Sequence, residues 1–320
     1  MGSIKQLLAH VIRQTSPAFF AFLKSTLRAA GGPLSLANPG LIAMARRSLH
    51  IGTGQSLKED YLDRWYGQRD ALTPPLRLLF DGTTSYAEFQ QLGDGLRDML
   101  VAHGLQPDHK VLEIGSGNGK NARALTQYVS RRGSYEGFDI VTRGVAWCQK
   151  NITPRYPHFR FRQADVYNRT YNPNGRCQAG NYRFPYESQC FDFVFLTSVF
   201  THMLPAGLDN YIAEIARVLK LGGKCFVSFF LLTPESRAGL AVKTAGRTFP
   251  FEYESPCCRV ADLKWPEDAV AFDEGFIREL FQRHGLHIEE PIRYGSWSHG
   301  HANGQDLVWA HKPTDSRPGA

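Results

Sequence analysis

The residues best placed to do chemistry begin with Glu113-Ile114-Gly115-Ser116-Gly117-Asn118-Gly119. An acid near the end of a short apolar run is followed by three glycines alternating with small polar residues, and a helical pattern then runs from Lys120 through Tyr128. Glycines permit a tight turn and let the backbone approach a ligand closely. The free N–H groups of the helix that follows favour a carboxylate or phosphate. The chemistry implied is capture of a nucleotide-type ligand. Asp139, Asp165 and His202 follow the ends of three later apolar runs and are the next candidates.

Spacing excludes two common nucleotide loops. The dinucleotide pattern G-x-G-x-x-G needs glycine at position 120, where Lys120 stands. A phosphate-binding P-loop needs Gly-Lys-Ser/Thr, and Gly119-Lys120 is followed by Asn121.

The elements that must position these residues alternate. The pattern predicts strands at 110–115, 134–139, 158–163, 191–197 and 223–231, with helices near 120–130, 143–151 and 207–219. Strands separated by helices imply parallel βαβ units. Two late strands, near 286–294 and 305–311, flank a glycine-rich stretch and predict an antiparallel edge hairpin. The expected fold is α/β: a Rossmann-like, doubly wound, seven-stranded sheet, mostly parallel, preceded by an N-terminal helical cap. The expected divisions are a basic helical segment at 1–83, a ligand-binding core at 84–232, a lid insertion at 233–272, and a last helix, hairpin and tail at 273–320.

Residues 110 to about 232 resemble the core of class I S-adenosylmethionine-dependent methyltransferases, of the small-molecule (type 11-like) kind. Val111 to Gly119 is similar to that family's first motif, and Gly137-Phe138-Asp139-Ile140 to its second. Gln163-Ala164-Asp165-Val166, Phe191 to Phe195, and Val218 to Gly223 are similar to the next three, in order. Leu221 departs from the family, where proline is usual.

The resemblance implies S-adenosylmethionine as cofactor and assigns roles along the chain. Glu113 would orient the glycine turn and the cofactor's methionine end, with Gly115, Ser116, Gly117, Asn118 and Gly119 around it. Asp139 would accept from the ribose diol, as a carboxylate suits a vicinal pair of hydroxyls; an ordinary strand-end helix cap is its other reading. Asp165 would meet the adenine amine, or else be a solvated loop acid. Ile140, Val166, Thr197 and Ser198 complete the cofactor set. His202 resembles a histidine that lines the cofactor or substrate side in small-molecule relatives. Its ionisation range suits a general base, while a packed histidine fixing its loop is the alternative.

The Asp/Asn-Pro-Pro-aromatic motif of adenine and amide N-methylases is missing after Leu196. A hydroxyl acceptor is therefore expected, on a small molecule, sugar or lipid-linked glycan. Carbon or amine nitrogen remains open, as does a silent cofactor-binding subunit of a complex. Trp297 and His299, in Gly295-Ser296-Trp297-Ser298-His299-Gly300-His301, are expected at the active-site mouth, Trp297 as a substrate wall. No metal site is expected, because no cysteine or carboxylate set accompanies that histidine pair. Long stretches at 168–181 and 233–273 read as substrate-recognition loops or a lid.

Charge bounds the partners. Seven bases, from Lys5 to Lys58, precede the first acid, Glu59. Taking those seven from the chain's 37 bases leaves 30, against 30 acids. A neutral body argues against a nucleic-acid clamp. The basic segment 1–58 reads as a helical cap, as a dock for an anionic membrane or acidic protein, or as an organellar transit peptide. Six cysteines without a C-x-x-C pair point to a reducing compartment, so a cytoplasmic protein, peripheral to the membrane if the dock is used, is expected. Oligomeric state is open.

Overall fold

The computed structural model describes residues 63–64, 66–241, 251, 253–299 and 304–314. The expectations for 1–58, and for His301, lie outside the described residues.

Five strands run parallel: β1 (Lys110–Ile114), β2 (Ser134–Asp139), β3 (Phe159–Gln163), β4 (Phe191–Leu196) and β5 (Leu219–Phe229). The chain builds outward from β1 to β2 and β3, then returns to lay β4 on the other side of β1 and β5 beyond it. That reversal between β1 and β4 opens a crevice at the carboxyl ends of the strands, where ligands bind in open α/β sheets. Four short strands come later in the chain: β6 (Leu231–Leu232), β7 (Tyr253–Glu254), β8 (Cys258–Val260) and β9 (Val270–Asp273). The main sheet is completed by β10 (His287–Ile288) and β11 (Asp306–His311); β11 is antiparallel to β5, and β10 to β11. The seven-stranded order is β10-β11-β5-β4-β1-β2-β3.

Alternation along the strands fills two cores. Leu112, Val194, Leu196, Cys225 and Val227 face one side, with α4 (Pro205–Val218) and α6 (Glu274–Arg283) packed on it. Val111, Phe193, Phe195 and Phe226 face the other, against α1 (Tyr86–Ala102), α2 (Lys120–Leu125) and α3 (Thr142–Asn151). Strands buried on both faces explain the near-continuous apolar runs. A capping box starts α1: Ser85 Oγ accepts from Glu88 N–H, and the Glu88 carboxylate accepts from Thr84.

The structure departs from the sequence reading in four places, the first being the helix expected to reach 130, which ends at Leu125. Strand β5 begins at Leu219, ahead of 223, and its pairing with β4 shifts register between Phe191 and Phe193. The first limb of the edge hairpin shrinks to His287–Ile288. The insertion is more than loop: it holds α5 (Pro234–Ala241) and a second sheet in the order β6-β9-β8-β7. That small sheet springs from the end of β5 and packs a third core of Phe230, Leu232, Phe251, Ala269, Ala271 and Trp297.

Candidate active site

The glycine loop leaves β1 at the crevice. Gly115, Gly117 and Gly119 all hold left-handed backbone, with φ of 77°, 55° and 83°. A Cβ on Gly115 would stand 2.4 Å from Val199 Cγ2, and one on Gly119 would stand 2.8 Å from Cys148 Sγ. Those two glycines are therefore required by packing as well as by conformation. Gly117 differs: a Cβ there would meet nothing within 4 Å, so the loop is open at its middle.

Glu113 is buried beneath this loop. Its carboxylate accepts from Asn121 Nδ2–H at 2.6 Å and from the Tyr135 hydroxyl. Burial pushes its carboxyl up to about 7, against the pull of those two hydrogen bonds and of Lys120. Asp139 ends β2, also buried. One oxygen accepts from Gly117 N–H and the other from Val141 N–H, both at 2.7 Å. Burial raises its carboxyl too, opposed by those backbone donors. The bond to Val141 is a local turn contact and not the helix cap of the alternative reading, since Val141 itself is the N-cap of α3 and receives no side-chain cap bond. The bond to Gly117 ties the acid to the ligand loop. Each carboxylate oxygen keeps capacity to accept again.

Three buried atoms on this loop and helix have no hydrogen-bond partner: Ser116 Oγ, Asn118 Oδ1 and Asn121 Oδ1. Unsatisfied buried polar atoms at an open glycine turn are what a polar ligand would complete. Together with Asp139 and the room at Gly117, they fit the methionine and ribose parts of an adenosyl sulfonium cofactor. A strap before α1 borders the same loop, and sequence reasoning missed it. Asn118 Nδ2 donates to Leu78 carbonyl oxygen at 3.2 Å, and Lys120 pairs with Asp81 at 3.0 Å. The only signals for that strap are Pro74-Pro75 and Asp81-Gly82, which mark turns without saying where they pack.

The later acids and the histidine are placed differently. Asp165 follows β3 half-exposed, and both its oxygens are taken by Arg176: the guanidinium at 2.5 Å and the main-chain N–H at 3.2 Å. The Arg176 bonds hold its carboxyl below the usual range. Its neighbour Val166 is buried and bridges to Cys177, and Ile140 is half-buried beside Asp139. Thr197 is half-buried past the end of β4. Ser198 is exposed, with φ of 57°.

His202 closes a 3-10 turn, Phe200–His202, just beyond β4. Its Nδ1 lies 3.2 Å from the Glu267 carbonyl oxygen, and the Tyr171 ring meets it edge-on at 5.6 Å. Two segments of the chain converge on it. From the stretch after β3, Asn168 Nδ2 donates to the Glu267 carboxylate at 3.3 Å, and Thr170 Oγ1 to Asp268 at 3.0 Å. From the insertion come Glu267 and Asp268 themselves, both raised by burial. The Arg169 guanidinium stacks over the Trp265 ring. The two long stretches thus clasp each other beside the histidine.

Trp297 corrects the sequence reading. It is 4% exposed and forms no open wall. Its indole N–H donates to Asp306 Oδ2 at 2.7 Å, and its ring packs on Phe230 and Phe251. A large apolar ring with one donor is best placed where a buried acceptor meets that donor. Asp306 also accepts from Leu231 N–H and Gly295 N–H, and burial pushes its carboxyl up to about 6. His299 ends the 3-10 turn Trp297–His299, and its side chain lies outside the described residues. Among the described residues, no group of three or more His, Cys, Asp or Glu could hold a metal ion.

Residues 112–227 match the family described as "Methyltransferase domain". Among solved structures, the chain is similar to an S-adenosylmethionine-dependent methyltransferase from Methanosarcina mazei, at 19% identity over 68% of this chain and 98% of that one, TM-score 0.45. It is similar to another from Aquifex aeolicus, at 14% identity over 71% and 97%, TM-score 0.43. It is also similar to the magnesium protoporphyrin IX methyltransferase of Synechocystis with bound S-adenosylhomocysteine, at 16% identity over 79% and 94%, TM-score 0.45. The matched segment runs from within β1 through most of β5 and holds the glycine loop, Asp139, Asp165 and His202, and this segment is an S-adenosylmethionine-dependent methyltransferase domain.

Proposed function

We propose that this enzyme methylates a hydroxyl of a small molecule, sugar or lipid-linked acceptor, with His202 as the general base. The observation that carries this reading is the position of His202. A titratable imidazole stands just past the carboxyl end of β4, beside the clasp of two long segments.

Once bound, the cofactor supplies an electrophilic methyl on sulfonium. The chain's work is then placement and proton removal. Backbone groups of Gly115 to Gly119 and the open polar atoms of Ser116 and Asn118 would hold the methionine end. Asp139 would hold the ribose. With Nδ1–H donated to the Glu267 carbonyl, the imidazole's basic lone pair sits on Nε2, the nitrogen that would take the acceptor's proton. The clasp of Thr170, Asn168, Glu267 and Asp268 would keep water from the acceptor side. For Asp165 to meet adenine, one of its half-exposed oxygens would accept from the amine beside its Arg176 bond.

His202→Gln is expected to lower turnover by roughly 10²–10⁴-fold while leaving S-adenosylhomocysteine affinity within about twofold. Transfer of labelled methyl to sugar, phenol and lipid hydroxyls, followed against pH, measures this. A pH–rate profile unchanged by the substitution rejects the base role. Transfer only to amines or carbon acids rejects the hydroxyl acceptor.

The basic segment 1–58 is proposed to dock on an anionic membrane, on the strength of its seven bases and no acids. Among the described residues, no helix is long and apolar enough to cross a membrane. The full chain should pellet with phosphatidylserine vesicles at low salt and release at about 0.5 M salt, where surface charge is screened. Replacing Lys5, Arg13, Lys24 and Arg28 by glutamine should abolish pelleting. Salt-independent pelleting, or none, counts against the dock.

A further inference from the structure

We propose that Gln305, at the approach to strand β11, is a positioning residue for the cofactor loop. It acts through Ser198 and Val199, and the inference rests on reading 115–119 as that loop.

Ser198 is the first link. Its φ of 57° is left-handed, a conformation that a residue with a Cβ rarely holds without outside support. The support is a ring of three side chains from three strand ends. Ser198 N–H donates to Ser228 Oγ at 2.9 Å. The Ser228 hydroxyl, buried on β5, donates to Gln305 Oε1 at 2.6 Å. Gln305 Nε2 donates back to Ser198 Oγ at 3.0 Å. An amide suits this place because it offers an acceptor to one serine and a donor to the other.

Val199 is the second link. Its Cγ2 occupies the space where a Cβ on Gly115 would stand, 2.4 Å away. Gly115 is itself left-handed. The strained turn after β4 is thus pressed against the first glycine after β1. Loss of the Gln305 clasp lets Ser198 relax toward ordinary backbone, which moves Val199 and frees Gly115 to shift. A residue 190 positions away in sequence, with no place in the matched segment, therefore sets the shape of the ligand loop.

Calorimetry with S-adenosylhomocysteine on the full chain tests this, using Gln305→Met, which keeps length and loses the amide. Affinity should fall about tenfold, with the unfolding midpoint within a few degrees of wild type. In the unliganded chain the ¹⁵N amide signal of Gly115 should also shift in Gln305→Met, since Val199 no longer holds that glycine in place. Equal affinity for wild type and Gln305→Met overturns the positioning role alone. A loss of affinity with the Gly115 signal unmoved also overturns it, because Gln305 would then act by some other route. A folded wild type that binds no S-adenosylhomocysteine removes the cofactor reading and this inference with it. Should Gln305→Met not fold, Gln305→Leu removes the amide with a smaller side chain and should show the same loss of affinity and the same Gly115 shift.

Discussion

Replacing Asp139 by alanine is expected to weaken S-adenosylhomocysteine binding by about 1–3 kcal/mol, or roughly 5–150-fold. Two effects combine. The ribose loses its acceptor, and Gly117 N–H loses the carboxylate that pins it at 2.7 Å. Asp139→Asn separates them: its single carbonyl oxygen can keep one backbone bond while the charge is gone, so its loss should be smaller. Isothermal titration of the two variants measures both. Unchanged affinity in Asp139→Ala would remove this acid from the ribose.

The second large effect concerns stability. Glu113 is raised from 4.5 to about 7 by burial, so the folded chain holds its proton where the unfolded chain has released it. A raised pKa means that the folded state binds more protons across this window. The stabilisation is complete below about pH 4.5 and is lost as pH rises toward 7. A shift of that size corresponds to about 3 kcal/mol. Glu113→Gln stays neutral throughout. Urea unfolding between pH 4.5 and 7.5 should show wild type losing about 3 kcal/mol more than the variant. Parallel profiles would mean that Glu113 is ionised at ordinary cost, through its bonds from Asn121 and Tyr135. Asp306, raised by burial to about 6, adds a slope of the same sign common to both proteins.

Much of this architecture was legible in the sequence because burial dictates residue type. Strands covered on both faces, such as Val111 to Ile114, leave an apolar run, and glycines forced left-handed leave the 115–119 alternation. What failed to show was packing between distant segments. Cys258–Val260 and Val270–Asp273 are too short to stand out as strands, and form a sheet only by pairing with each other and with Leu231–Leu232. Trp297 read as an exposed wall because Gly295 and Gly300 suggest a surface loop; its partner Asp306 lies nine residues on, and nothing local announces the bond. Asp165 is legible as a candidate from its place after β3, but its ion pair with Arg176 crosses a loop whose path follows from the bridge between Val166 and Cys177. Gln305 carries no motif at all. Its role is visible only once β4, β5 and β11 lie side by side.

The central claim is that the loop between β1 and α2 receives the adenosyl sulfonium cofactor. Titrating a chain labelled with ¹⁵N-glycine with S-adenosylhomocysteine tests it most directly. The amide signals of Gly115, Gly117 and Gly119 should move together and saturate at one equivalent, with Gly117 moving furthest. If the compound leaves those three signals in place on folded protein, whether or not it binds elsewhere, the loop is not its site.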